Sequence, residues 1–137
     1  MGIQWGSGMN YKRYLLEVGA GIDLHGEDDT KAAQRAVRNA INWQSMVGLS
    51  QLFKFESWKE LSDALLVDVT IATPHPEKVD KEKVLSVLPI GKKQITVVKG
   101  GLRFPTPETS ELSRTHGVVV AVAAIVVLID LDKVERV

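Results

Sequence analysis

The fold is decided by one stretch of this 137-residue chain, Val118-Val119-Val120-Ala121-Val122-Ala123-Ala124-Ile125-Val126-Val127-Leu128-Ile129. Eight of these residues are β-branched, which favours a strand over a buried helix. Apolar side chains occupy odd and even positions alike, which is typical of a strand covered on both faces. The stretch is also too short to cross a bilayer as a helix. It therefore predicts a strand, over residues 117–131, in a sheet that is packed on both sides.

A helix is predicted over residues 30–47, because its apolar residues recur at helical spacing. Its predicted apolar face consists of Ala33, Ala36, Val37, Ala40, Ile41, Trp43 and Val47. Small alanine side chains let a helix lie close to a sheet, so this helix is expected to cover one sheet face. Asp29 or Thr30 is expected to cap its first turn, and Gly48 to end it.

The remaining elements are shorter. Strands are predicted over residues 11–18, over 65–73, and over 94–99 with a continuation past Gly100-Gly101 to Phe104. A short helix is predicted over 81–88 after a cap at Asp80, and another from Ser57 in the ambiguous segment 49–62. The order β-α-β-α-β-β predicts the α/β class, here an α+β sandwich with a single mixed sheet. Residues 1–10 are interpreted as an N-terminal extension, 105–114 as a polar loop, and 11–137 as one domain.

Composition narrows the function classes. Lys+Arg and Asp+Glu each total 17, so the basic excess of a nucleic-acid-binding protein is absent. The lack of cysteine excludes disulfides, thiol nucleophiles and thiolate metal sites. Because no basic region precedes an apolar run near the N-terminus, no secretory signal and no membrane association are expected. A cytoplasmic location is the expectation.

The predicted helices are too few to cover both faces of the predicted sheet. One long helix and one short helix hardly cover both faces of a strand as apolar as 118–129. A neighbouring copy is therefore expected to supply the missing cover, in a homo-oligomer that is a trimer or a multiple of one.

The candidate site is the segment Gly19-Ala20-Gly21-Ile22-Asp23-Leu24-His25-Gly26, followed by Glu27-Asp28-Asp29-Thr30. It is predicted to join the first strand to the long helix, where α/β proteins commonly hold ligands. In an extended loop the side chains of Asp23 and His25 point the same way, so they are predicted to be a catalytic acid–base pair. The alternative is structural: Asp23 bonds loop amides, His25 fills a polar niche, and the glycines permit positive φ.

Other residues near this segment are candidates for ligand binding. Gly19, Gly21 and Gly26 are predicted to line the site, and Lys31 and Arg35 to hold an anion, unless they are simply a solvated helix face. No cofactor is expected; a divalent metal held by the acidic residues and His25 is the weaker option, because acids at a helix start are commonly caps. His75 and His116 are interpreted as turn residues.

The motif Gly-x-Gly-x-Asp-x-His-Gly, with Asp29-Thr30-Lys31-Ala32-Ala33 after it, resembles a small uncharacterised family of conserved hypothetical proteins first named from a Listeria protein. The resemblance covers about residues 11–130 and implies a site at the motif without implying a reaction. The order of elements also resembles Bacillus-type chorismate mutase and the repeats of cyclic amide hydrolases. Such folds assemble as three units with sites between neighbours, which implies that a second subunit lies close to His25.

Two functions are consistent with these features. The first is an enzyme that acts on a compact polar or anionic molecule through Asp23 and His25 at a subunit interface. The alternative is a non-catalytic oligomeric protein that uses the same loop to bind a ligand or to regulate.

Overall fold

The computed structural model describes residues 10–42, 45–105 and 117–137. Its helices and strands are, in chain order, β1 (Tyr11–Asp23), α1 (Asp29–Asn42), α2 (Leu49–Leu52), β2 (Phe53–Lys54), α3 (Trp58–Ala64), β3 (Leu65–Thr73), α4 (Lys81–Leu85), β4 (Lys92–Lys99), β5 (Leu102–Phe104), β6 (Val118–Asp130) and β7 (Glu135–Arg136). Short 3-10 turns span Pro76–Lys78 and Leu131–Lys133. The predictions for residues 1–9, Trp43, the loop from residue 106 and His116 lie outside the described residues.

The main sheet is mixed. It has five strands in the order β1-β6-β3-β4, with β5 paired to β6 beyond the end of β3. β6 runs antiparallel to β1 and to β3, and β3 is parallel to β4. The strands β1, β3 and β4 therefore end at the same edge of the sheet, here named the carboxyl edge. This arrangement confirms the predicted α/β class with a single main mixed sheet and a long helix on one face.

Close packing of α1 on β1 explains the two glycines of the motif. The alanines of α1 are almost fully buried, and Gly19 and Gly21 lie beneath them on the helix side of β1. A Cβ atom on Gly19 would lie 2.6 Å from the carbonyl oxygen of Ala36, and one on Gly21 would meet the backbone of Ala32 and Ala36. Only glycine leaves room for a helix backbone this near to a strand.

The other face of the sheet has no helix on it among the described residues and is here named the open face. Strand pairing aligns its side chains in rows across the sheet, and the row Ala20, Val122, Ala72 and Val98 crosses four strands. Five large apolar side chains on this face are between 38% and 60% exposed: Leu16, Val18, Ile22, Val122 and Val98. One face of β6 is thus covered within the chain. Cover of the other by a neighbouring copy stays a prediction.

The structure corrects several predicted boundaries. β1 does not stop at Val18 but continues to Asp23, because residues 19–23 pair with 119–123 of β6 and this pairing outweighs the low strand propensity of glycine. In the described residues the helix α1 extends to Asn42, and residues 45–48 are not helical, so the predicted helical end at Val47 is wrong. Its cap is Asp28, whose Oδ1 accepts from the Lys31 amide at 3.0 Å.

Three smaller differences occur outside the site. The continuation of the third predicted strand is a separate strand, β5, because the chain turns at Gly101 with a φ of 67°. α4 ends at Leu85, after which i→i+3 bonds lead toward Pro89. The ambiguous segment contains α2, β2 and α3, and β2 pairs with β7. The predicted start of α3 is confirmed, because the Ser57 hydroxyl caps it.

No helix in the described ranges has the length and apolar character needed to span a membrane.

Candidate functional site

At the carboxyl edge the side chain of Asp29, the first residue of α1, is only 1% exposed and makes three polar contacts. Its Oδ2 accepts hydrogen bonds from the Thr73 hydroxyl at 2.6 Å and from the His75 amide at 2.9 Å. Its Oδ1 lies 3.0 Å from Nδ1 of the His75 ring. One buried carboxylate therefore joins the start of α1 to the end of β3.

The contact with Asp29 determines which nitrogen of the neutral His75 ring carries the proton. A carboxylate only accepts hydrogen bonds, so the proton on the ring faces Asp29 at Nδ1 and the lone pair of the neutral ring is at Nε2. The side chain is 27% exposed, and no other hydrogen bond to it is found in the described part of the chain. An imidazole held in this tautomer can accept a proton from a bound molecule.

The topology explains why these residues meet although 46 positions separate them. The strands β1 and β3 are parallel, and α1 lies along β1 with its N-terminus at the carboxyl edge. The end of β3 reaches the same edge at Thr73. A further bond, from the Asp80 amide to the Thr30 hydroxyl at 2.9 Å, holds the segment after His75 against α1.

Asp23, predicted to be catalytic, is 4% exposed on the helix side of β1. Its Oδ2 accepts from the Asp28 amide at 2.8 Å, and its Oδ1 lies 3.4 Å from Nη1 of Arg35. The same Arg35 nitrogen donates to the Ile22 carbonyl at 2.6 Å. Asp23 thus fastens both ends of the loop between β1 and α1, which is the geometry of the structural alternative.

His25 lies beyond the end of β1, in the loop, and is exposed. The prediction that Asp23 and His25 point the same way assumes an extended backbone between them. The extended strand β1 ends at Asp23 and does not reach His25. The loop turns at Gly26, whose φ is 87°, and at Glu27, whose φ is 48°. Asp23 and His25 as an acid–base pair stay a prediction.

The other predicted ligand-binding residues fall into two groups. Gly19 and Gly21 lie inside β1 under the helix backbone, which corrects their expected place in a loop. Gly26 lies in the loop, and Lys31 and Arg35 lie on α1 after it: Lys31 is exposed, and the Arg35 side chain is 50% exposed. Their ligand-binding roles stay predictions.

An ion pair connects this loop to the rest of the carboxyl edge. Nη2 of Arg103, on β5, lies 2.5 Å from Oε1 of Glu27. Glu27 therefore pairs with a cation of another strand and not with Lys31, which follows it by four positions in the sequence. The ion pair therefore holds the loop after β1 against β5.

Within residues 10–42, 45–105 and 117–137, no three His, Cys, Asp or Glu side chains come together as a group that could hold a metal ion. The divalent metal considered from the sequence stays untested.

Asp29 and His75 are the functional candidates that sequence reasoning misses, since it treats Asp29 as a cap and His75 as a turn residue. A signal is nevertheless present. Both residues stand where predicted elements meet, one at the start of the helix and one just after the strand ending at Thr73. In a parallel β-α-β unit those two positions share one edge of the sheet.

Comparison with known proteins agrees with the fold. A crystal structure of an FtsZ-like protein of unknown function from Nostoc punctiforme is similar to this chain, with 36% sequence identity and a TM-score of 0.72. The similarity covers 90% of this chain and 99% of the other. No curated protein matches the chain. The family model described as "Conserved hypothetical protein (Lin0512_fam)" matches residues 13–127, so the chain belongs to this family of conserved hypothetical proteins.

Proposed function

We propose that this protein is an oligomeric enzyme that acts by acid–base chemistry on a small polar or anionic molecule at the carboxyl edge of its sheet. The observation that carries the proposal is the 3.0 Å contact between Asp29 Oδ1 and His75 Nδ1. In this role His75 accepts or returns a proton through Nε2, and Asp29 keeps the ring in place and stabilises the imidazolium that forms.

Cationic side chains near this edge favour an anionic substrate. Arg35 uses Nη1 for its bonds to Ile22 and Asp23, so the other nitrogens of its half-exposed guanidinium group can meet a carboxylate. Lys31, one helical turn away, adds a second positive charge. Asp23 positions Arg35 in this scheme, and His25 is a second proton carrier on the loop.

A turnover experiment tests the proposal. The wild-type protein is incubated with a mixture of small carboxylates, hydroxy acids and phosphate esters, and the loss of each component is followed by ¹H NMR. We expect one component to be consumed, and the variant His75→Gln to consume it at least about 100-fold more slowly, the usual contribution of a general base. The thermal midpoint of the variant should remain close to that of the wild type.

The matched control is His25→Gln, which changes the other described histidine of this edge. If His25→Gln abolishes turnover and His75→Gln does not, the catalytic base is the histidine of the motif and not His75. If no component is consumed but one of them broadens on binding, the protein is a binding module.

That second function, a non-catalytic oligomeric protein that binds a ligand or regulates, is favoured by the bonding of Asp23. Its carboxylate is already used by the Asp28 amide and Arg35, and it is almost fully buried. A loop closed by its own hydrogen bonds in this way suits a fixed binding surface better than proton transfer.

The oligomer is proposed to form through the open face, with a second copy of the chain as its occupant. The row Ala20, Val122, Ala72 and Val98 on this face is apolar, and the apolar side chains of Leu16, Val18 and Ile22 on β1 are exposed beside it. The polar side chains of this face lie on β3 and β4: Asp68, Thr70, Gln94 and Thr96. An exposed apolar patch beside polar residues is typical of a surface that contacts another chain. We expect light scattering to give a mass that is a multiple of the 15.1 kDa chain, with a trimer or a multiple of it favoured.

The variant Val122→Lys, in the middle of the open face, should shift this mass toward the monomer. Leu52→Lys is the control, because Leu52 is also exposed but lies on α2, away from the main sheet. A wild-type protein that is a monomer at micromolar concentration would contradict the proposal. So would an equal response of the two variants while both stay folded by circular dichroism.

A further inference from the structure

A second region of interest lies at the other end of α1. There an inner cavity of about 170 Å³ is bounded by residues of β1, β3, β6, α1 and the segment before β4: Glu17, Ile41, Met46, Val67, Leu88, Pro89, Ile90, Ile125 and Val127. An outer cavity of about 510 Å³ shares Met46 and Ile90 with it and extends between the segment before α2 and α3. The two adjoin through these shared residues.

The inner cavity contains one ionisable group among its described lining residues, the carboxyl of Glu17. Glu17 is 5% exposed and lies on the helix side of β1, in the same row as Ile125 and Val69. Burial raises the pKa of this carboxyl above its ordinary value. No described residue donates a hydrogen bond to it or forms an ion pair with it.

A carboxyl in this position is unfavourable for an empty protein. Partial desolvation of this carboxyl, without a hydrogen bond or an ion pair, disfavours its charged form. An apolar residue of similar size would fill the row without that cost. The Glu17 carboxyl therefore suits the binding of a ligand that carries a positive charge.

We propose that this cavity binds a small amine with an apolar body, whose ammonium group pairs with the Glu17 carboxylate. The other lining residues supply apolar contacts, and a cavity near 150 Å³ accommodates a six-carbon ring. Ile41 belongs to the last turn of α1, and the C-terminal end of a helix also favours a cation. A carboxylic acid or a phosphate would instead meet a charge of its own sign.

A cation of β4, Lys93, does not take this role. Lys93, which is paired with Val67 across the sheet, donates from Nζ to the Leu88 carbonyl at 2.8 Å and does not line the cavity. Among the described residues, an ammonium group for Glu17 therefore has to come from a ligand.

This site is independent of the proposed catalytic function. Six positions along β1 separate Glu17 from Asp23, which corresponds to about 20 Å of strand. The two sites lie at opposite ends of α1, so failure of one proposal leaves the other intact.

The test compares two probes of equal chain length, n-hexylamine and 1-hexanol, by isothermal titration calorimetry at neutral pH. Wild-type protein should bind the amine at least about 10-fold more tightly than the alcohol. Glu17→Gln should bind the alcohol as the wild type does and lose most of the preference for the amine. Glu56→Gln is the control, because Glu56 lines the outer cavity and is exposed.

A measurement on the wild type alone guards against an effect of the substitution on folding. Methylene protons of bound hexylamine should show nuclear Overhauser effects to the methyl groups of Ile125 and Val67. Equal affinity of the two probes for wild-type protein would overturn the proposal. Contacts of the amine only with other residues, or a preference that Glu17→Gln retains, would do the same.

Discussion

The variant Gly21→Ala should lose at least about 3 kcal/mol of its free energy of unfolding, at or beyond the upper end of the usual cost of overpacking. The added Cβ atom would overlap the backbone of Ala32 and Ala36 in α1. A clash with backbone atoms is not relieved by a change of side-chain rotamer. The whole helix has to move off the sheet, which opens the apolar core between them. Urea denaturation followed by circular dichroism measures the loss.

Gly26→Ala is the matched control for this substitution. It is also a glycine of the motif, with a φ of 87°, but a Cβ atom added to it would have no other atom within 4 Å. Its expected cost is the backbone strain alone, about 1–2 kcal/mol. If Gly21→Ala proves no more destabilising than Gly26→Ala, α1 does not lie as close to β1 as described. The glycine spacing of the motif then has another cause.

The variant Asp29→Ala is expected to be nearly as damaging. It removes the acceptor of three hydrogen bonds, from the Thr73 hydroxyl, the His75 amide and the His75 ring. Thr73 is fully buried, so water cannot easily replace the lost acceptor. Each buried donor left without a partner destabilises by about 1–3 kcal/mol, which predicts a total loss of about 3 kcal/mol or more.

The variant Asp29→Asn separates the effect of Asp29 on stability from its effect on the proton of the His75 ring. The amide keeps the size of the side chain and one acceptor oxygen, so a smaller loss of stability is expected. The proton on the His75 ring should nevertheless redistribute between Nδ1 and Nε2, which ¹⁵N NMR of the ring detects. Asp63→Ala is the control: its pair with Lys59 is exposed, and such pairs contribute at most about 1 kcal/mol. Equal stability of Asp29→Ala and Asp63→Ala would show that the Asp29 cluster does not form.

Elements whose signals are local are predicted correctly from the sequence. β3 is predicted with its observed ends, because the β-branched run and the proline after Thr73 act within a few residues. Helical periodicity predicts the alanine face of α1, and burial of Ala33, Ala36 and Ala40 confirms it. The mixed sheet follows from the order of these elements, since the choice of architectures for such an order is small.

The role of the glycines in the motif depends on contacts between segments that are distant in the sequence. Read locally, Gly19 and Gly21 indicate a loop, because glycine is a poor strand former. Pairing with β6 makes them part of β1, and the backbone of α1 above them explains why they have no side chains. A partner strand about 100 positions away in the chain leaves no trace in local periodicity.

The same reason applies to the candidate sites. Asp29 and His75 meet because two parallel strands end at one edge, and Glu17 is buried because α1 and the segment before β4 cover its row. Both facts depend on contacts between segments far apart in sequence, where hydrophobic burial and strand pairing outweigh the preference of each residue for its local surroundings. Composition and spacing placed the candidate site near the start of α1; tertiary contacts determined which carboxylates and which histidine are brought together there.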